Sequence, residues 1–327
     1  MASGKLLIGF LPVLAAFGAS AQRPEAPLQY PSKPIHIFVG FPPGGNSDFV
    51  ARAVSRGLGE LWGQQVIVDN RPGAGGNIAA EMVAKSPADG HTLLLGVFAH
   101  AVNPSLYAGK LPFDTLKDFV PVILCVSSAN ILVVHPSLPV KSVKELIALA
   151  KAKPGAITYA SAGNGTASHL AGELLKMLTG IDIVHVPYRG TGLAHTDLMG
   201  GRVTMFFAAM AGTLSNVQSG RLRALGVTTT KRWPGAPGVP TMIEAGVPGF
   251  EVNSWSGLLA PAGTPKEIVA RLNTEVARIL RSTEIRERLY SFGAEPIDNT
   301  PEEFAAYINS EFIKWAKVVK AAGLRVD

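Results

Sequence analysis

Hydrophobic positions along the chain switch repeatedly between short continuous runs and a spacing of three to four, which is how strands and helices alternate. Apolar runs rich in Val, Ile and Leu stand at residues 35–40 (IHIFVG), 66–70 (VIVDN), 92–97 (TLLLGV), 157–162 (ITYASA), 182–188 (DIVHVPY) and 222–229 (LRALGVTT). Runs of this length and composition read as buried strands. Between them, one segment puts Phe49, Ala53, Gly57 and Leu61 on one face and stops near Gly63; another aligns Leu170, Leu174, Met177 and Leu178 and stops near Gly180. Ser142 with Glu145, Thr264 with Glu267 and Thr300 with Glu303 have capping-box spacing, and Pro265 and Pro301 are expected at the first helical position. The last helix carries Phe304, Ile308, Phe312, Trp315 and Val319 along one stripe. The pattern predicts an α/β fold built from βαβ units, with parallel-rich sheets covered by helices on both faces.

Two features predict two such units. The run "FVPVILCVSSANILVVHP" is longer than one strand needs and can pass from one sheet into another. The Pro- and Gly-rich stretch at residues 231–265 precedes two further helices with no strand between them, which fits a return crossing. The expected division is residues 30–126 with 254–327 in one domain and 127–253 in the other.

The N-terminus is set apart from this alternation. Residues 1–21 hold one cation, Lys5, then an apolar stretch and Ala19-Ser20-Ala21, the order of a cleavable secretory signal. The stretch is too short for a permanent membrane span. No cysteine lies there, so a lipid-anchored form of export is excluded. The mature chain is expected to be soluble and exported to a Gram-negative periplasm. Its single cysteine, Cys125, falls in an apolar run, cannot form an intramolecular disulfide, and reads as a buried, inert thiol.

Charge changes the picture little. The formal net charge is +6, and removing residues 1–21, whose only charge is Lys5, lowers it to +5. The basic residues are dispersed without interleaved aromatics, so no nucleic-acid partner is expected; mild steering of small anions is.

Chemistry concentrates at two turns. "FVGFPPGGNSDFVAR" and "YASAGNGTASHLAGELL" each run from a strand through a Gly-rich turn into a helix, the second with Thr166 as its N-cap. In open parallel sheets, ligands collect where strand ends meet helix N-termini, and the amides there suit anions. Around them fall "NRPGAGG", "FAH" with Ala99 and His100, and "PYRG", each after a predicted strand. The phosphate-binding G-x-x-x-x-G-K-[ST] is absent, the dinucleotide fingerprint fails at Ile78 and Ser168, and no G-x-S-x-G elbow exists. His169 and Glu173 share a helical face, but two candidates do not make a metal site. No cofactor or metal is expected. Arg189 reads equally as a carboxylate clamp or a solvated rim residue.

The ordered set "YPSKPI", "FPPGGNSD", "VDNRPGAGGNIAAEMVAKSPADGHTLL", "ANILVVHP", "YASAGNGTASHLAGELL", "VHVPYRG", "LRALGVT", "VPTMIEAGVPGFE" and "LLAPAGTP" resembles the Bug family over residues 30–327. These are the periplasmic solute-binding receptors of tripartite tricarboxylate transporters. The resemblance implies a two-domain periplasmic binding protein of the Venus-flytrap type (type II-like), with two crossing strands. It also implies a small carboxylate ligand (a dicarboxylate, an amino acid or an aromatic acid of the nicotinate kind), membrane permease subunits as partners, and a monomeric receptor without catalysis. Carried over residue by residue, it places Pro43, Gly44, Gly45, Asn46, Ser47 and Asp48 on one wall of the site. Ser161, Gly163, Asn164, Gly165, Thr166 and His169 form the other, with Tyr188 and Arg189 nearby.

One stretch departs from the family's pattern. Where many relatives carry an Asp-Asn pair after a Phe, this chain reads "FFAAMAG", with Ala208 and Ala209, and Thr204 stands where relatives often carry Asp. If these positions line the far end of the site, it is more apolar here and favours monocarboxylates with an apolar or aromatic tail over acidic amino acids. Two other readings stay open on the residues: an exported α/β enzyme acting on carboxylic acids, and a ligand sensor feeding a signalling partner. An enzyme needs a nucleophile or base with an orienting partner, and the candidate loops offer amides and hydroxyls without such a set.

Overall fold

Ile35, Ile37 and Val39 are all buried in β1 (Ile35–Val39), which pairs in parallel with β2 (Val66–Asn70) on one side and β3 (Thr92–Val97) on the other. The computed structural model describes Met1, Gly4 and residues 29–325; the leader expected at residues 1–21 otherwise lies outside the described residues. Contacts separate Met1–Tyr30 from a second unit, Pro31–Asp327, and all that follows concerns the latter. Helices α1 (Asn46–Trp62), α2 (Asn77–Ala84) and α3 (Phe98–Leu106) follow β1, β2 and β3 in turn.

The centre of the sheet is β4 (Phe119–Val134), 16 residues long. Its first part pairs antiparallel with β9 (Asn253–Pro261), from Phe119 to Ala129. Its second part pairs antiparallel with β7 (Met205–Ala209) and β8 (Arg223–Val227). Beyond β7 lie β5 (Thr158–Ser161) and β6 (Val184–Pro187), parallel again. The order is β2-β1-β3-β9-β4-β7-β5-β6, with β8 and the short β10 (Ala294–Pro296) also on β4. The α/β sheet is therefore parallel in both wings and antiparallel through the middle, where β4 and β9 cross in opposite directions.

β4 serves two cores by the alternation of its side chains. Leu132 and Val134 join a cluster with Tyr159, Phe207, Trp255, Phe304 and Trp315. Ile131 and Val133 join a second cluster with Phe206, Ala208, Leu222 and Trp233. Helices α4 (Val143–Ala152), α5 (Ala167–Thr179), α6 (Thr191–Met199) and α7 (Leu214–Gln218) belong to the stretch between the two crossings, and α8 (Lys266–Leu280), α9 (Thr283–Ser291) and α10 (Pro301–Ala321) follow the second.

The capping signals hold at two of three positions. Ser142 accepts from the Glu145 amide, and Thr300 and Glu303 close a reciprocal box with Pro301 in the first turn of α10. Thr264 instead donates to the Pro261 carbonyl at 2.8 Å, and Pro265 is itself the N-cap of α8. Strands β7 and β10 were not anticipated, the return crossing takes the form of β9, and three helices, not two, follow it, with β10 before the last. The face expected for α1 is rotated: Val50, Ala51, Val54 and Leu58 are buried with Ala53, whereas Leu61 is exposed. Gly57 faces α8, where an added Cβ would lie 2.6 Å from Ile279. On α5, Leu170 and Leu174 are buried, but Met177 and Leu178 face outward.

Candidate functional site

The two Gly-rich turns of the sequence line the same cleft. Its volume is about 680 Å³, and its lining includes Pro43, Gly45, Asn46 and Ser47 from the β1–α1 turn and Asn164, Gly165 and Thr166 from the β5–α5 turn. Ala99 at the start of α3 lines it as well, as does Gly75 in the turn after β2. The β1–α1 and β2–α2 turns can approach because both backbones are bare: a Cβ on Gly40 would meet the Gly76 Cα at 2.5 Å.

Asp48 shapes the first turn from below. It is buried, and its carboxylate accepts the Gly44 N–H at 3.0 Å, Arg52 Nε at 2.9 Å and Asn70 Nδ2 at 3.0 Å. Asn70 also donates to the Phe41 carbonyl at 3.0 Å, tying the turn to the end of β2. Burial pushes the Asp48 carboxyl up, but the bonds from Arg52, Gly44 and Asn70 outweigh it and hold the group below its ordinary value. Asp48 and Gly44 therefore spend their polar groups on each other and stand outside the cleft lining. No side chain caps α1, whose N-cap is Gly45. Its first-turn amides are the orphan donors that an anion can satisfy.

The second turn is closed on itself. Thr166 accepts from the His169 amide and donates to the Gly163 carbonyl at 2.7 Å. Gly163 N–H donates to Ser161 Oγ at 3.1 Å, Ala162 N–H to Ser168 Oγ at 3.0 Å, and Gly165 N–H to His169 Nδ1 at 3.1 Å. What this turn offers the cleft is the exposed Asn164 and the half-buried Thr166.

Beneath that turn lies a cluster that sequence spacing did not reveal. Ser161 Oγ and His185 Nε2 are 2.6 Å apart. The His169 and His185 rings stack at 3.9 Å between centroids, and Tyr159 stacks on His185 at 4.9 Å. Tyr159 donates to Glu173 at 2.6 Å, which also pairs with Lys176 at 3.1 Å. Burial, then repulsion from His185 and Lys176, pushes His169 down to about 3. Ser161 is fully buried, so the Ser161–His185 pair supports the turn from inside.

Several expected positions lie elsewhere. His100 packs among Phe113 and Phe119 behind Ala99, and burial pushes it down to about 4. Tyr188 donates to Asp197 at 2.8 Å, and its neighbours Gly190 and Thr191, rather than the exposed Arg189, line the cleft. Ala208 and Ala209 sit in β7 opposite Ile131 and Asn130 of β4, and Thr204 bonds to Thr158 at the start of β5. None of these three positions is in the lining: Ala208 is buried in the second core cluster, Ala209 follows it at the end of β7, and Thr204 is spent on Thr158. Ser161, Gly163 and His169 likewise shape the turn without lining the cleft. Cys125 is buried, and burial pushes its thiol up to about 12.

The lining that sequence reading missed includes six aromatic residues: Phe41, Phe49, Phe98, Tyr107, Trp255 and Phe292. Trp255 comes from β9 and Phe292 from the turn after α9, each remote in sequence from both Gly-rich turns. Ser128, Ser254 and Ser256 add small hydroxyls where β4 and β9 cross.

A cleft fed by both wings of a mixed α/β sheet, with strand ends and a bare helix N-terminus at its wall, is the architecture of a solute-binding receptor. The chain belongs to the tripartite tricarboxylate transporter receptor family, whose sequence model matches residues 50–324. It is similar to protein BugT of Bordetella pertussis, 39% identical over 320 residues that cover 97% of this chain and 98% of that one. Among solved structures, an R. palustris protein with adipate is 40% identical, with a TM-score of 0.77 over 91% of this chain and 100% of that one. MatC from Rhodopseudomonas palustris with bound malate is 34% identical, with a TM-score of 0.74 over 89% and 100%. Among the described residues, no helix is long and apolar enough to cross a membrane.

Proposed function

We propose that this protein is a periplasmic, non-catalytic receptor that captures a small carboxylate between two lobes and delivers it to a tripartite tricarboxylate-type membrane transporter. The observation that carries the reading is the meeting of the β1–α1 and β5–α5 turns on one cleft, with the uncapped N-terminus of α1 at its wall. The lobes are residues 30–126 with 254–327 and residues 127–253, hinged where β4 and β9 cross. At that crossing Thr228 exchanges bonds with Asn130, donating through Oγ1 and accepting from the Asn130 amide, each at 3.1 Å. The relatives solved with adipate and malate support a carboxylate as the ligand class.

Formal cations are not required for this. Hydrogen bonds to a charged group contribute about 1.5–3 kcal/mol each and a helix terminus up to about 2 kcal/mol. A few of these reach the roughly 8 kcal/mol of a micromolar complex. The enzyme reading loses ground on the Ser161–His185 pair, since a nucleophile must reach its substrate and Ser161 is sealed beneath the turn. The test is thermal unfolding of refolded, ligand-stripped protein against dicarboxylates, amino acids and aromatic acids. Ligand at about 100 times its dissociation constant adds roughly 2.7 kcal/mol of stability. A flat response across all three classes sinks the proposal.

A further inference from the structure

The walls of the cleft narrow the ligand further, on the premise that the site is a carboxylate receptor as proposed above. Among the described residues, none that lines the cleft carries a charge. Arg52 is committed to Asp48 and Asn70, Arg288 lies over the Phe49 ring, 4.9 Å from its centroid, and the exposed Arg189 stands outside the lining beside Gly190. Aromatic surface stands in their place. The Phe49 and Phe292 rings lean together at 5.0 Å and 43°, and the buried Trp255 is braced by Phe304 at 5.8 Å and Tyr307 at 6.0 Å.

These walls treat the two ends of a ligand differently. One carboxylate finds the unsatisfied first-turn amides of α1. A second negative charge drawn in would lose part of its hydration against a largely apolar wall, where neutral groups such as Asn164, Thr166 and Ser254 meet it but no lining cation does. An apolar ring gains on the same surface, because ring pairs attract in offset and edge geometries. At about 680 Å³ the space accepts one or two fused rings. We propose that the preferred ligand carries a single carboxylate on an apolar ring system, and that the half-buried Phe49 and Phe292, backed by the buried Trp255, select it. The preference differs from that of the relatives solved with adipate and malate, which are dicarboxylates.

Isothermal titration of ligand-stripped protein with benzoate, cyclohexanecarboxylate, 2-naphthoate, adipate and malate decides it. The best ring monocarboxylate is expected to bind at least about tenfold more tightly than either diacid, in line with the selectivity that apolar contacts confer. Phe292→Ala, at a half-buried position, is expected to weaken the best ring acid about tenfold and adipate less than about threefold, with Phe292→Leu between them. Adipate or malate binding as tightly as the ring acids overturns this inference and leaves the receptor reading intact. Equal losses for ring acid and adipate in Phe292→Ala also overturn it. Binding by none of the five overturns this inference, and the receptor reading is then decided by the broader screen that includes amino acids.

Discussion

His169 accepts the Gly165 backbone N–H on Nδ1 at 3.1 Å, and this one bond fixes the tautomer of a buried ring and the shape of a cleft wall. Only the neutral imidazole can accept there. The ring faces His185 at 3.9 Å, with Tyr159, Glu173 and Lys176 completing its surroundings, so a proton on it meets both burial and like charge.

The consequence is a stability that fades in mild acid. His169 is pushed down to about 3, against an ordinary value of 6.5. Between those values the unfolded chain binds a proton that the folded one refuses. This contribution is therefore complete above pH 6.5 and is lost as pH falls toward 3. At pH 5 the loss is on the order of 2 kcal/mol. In His169→Asn the amide oxygen can still take the Gly165 N–H but does not titrate. Urea unfolding at pH 7 and pH 5 checks the point: the variant should lose less stability on acidification than the parent, and equal losses count against it.

The sequence made the scaffold legible where local signals and tertiary demand coincide. The runs at 66–70 and 92–97 became β2 and β3 without a residue's change, but only β3 is the buried strand expected; β2 is the edge of the sheet, with Ile67 exposed. Met205–Ala209 gave no alternation, and its nearest breakers, Gly201 and Gly212, are set back from it; its strand identity comes from β4 on one side and β5 on the other. Asn253–Pro261 is legible only as a return crossing somewhere inside a Pro- and Gly-rich stretch, and its bounds come from pairing with β3 and β4. In the candidate site, a Gly-rich turn before a helix is visible locally, so Pro43, Gly45, Asn46 and Ser47 and the run from Asn164 to Thr166, all on the cleft wall, are legible as candidates. Trp255 and Phe292 are not, since only the crossing of β4 and β9 and the packing of α9 bring them there. Asp48 shows the opposite limit: an acidic residue in a loop fits a wall or an anchor equally, and burial decides for the anchor.

Asp48 accordingly tests whether the first turn is held from inside. Asp48→Ala leaves the Gly44 N–H, Arg52 and Asn70 without their acceptor. Hydrogen bonds to charged groups contribute about 1.5–3 kcal/mol each, but Arg52 is half exposed and its share is screened. A net destabilisation of about 2–4 kcal/mol is expected, read from urea unfolding. Ligand affinity should fall with it, because the bare amides of α1 lose their fixed geometry. Asp48→Ala with unchanged stability would show that the turn is held by other means.

Two helical glycines should respond with opposite signs. Alanine exceeds glycine in helix propensity by about 1 kcal/mol. Gly192 in α6 has nothing within 4 Å of the position a Cβ would take, so Gly192→Ala should stabilise by up to about 1 kcal/mol. Gly172 in α5 lies against the Tyr159 ring, which a new Cβ would strike. That ring cannot yield cheaply: it is fully buried, stacked on His185, and bonded to Glu173 at 2.6 Å. Overpacking of this kind costs about 1–3 kcal/mol, enough to cancel or reverse the propensity gain. The expected order of thermal midpoints is Gly192→Ala, then the parent, then Gly172→Ala. A Gly172→Ala protein as stable as Gly192→Ala would mean that the Tyr159 stack shifts freely, and with it the support beneath the second turn.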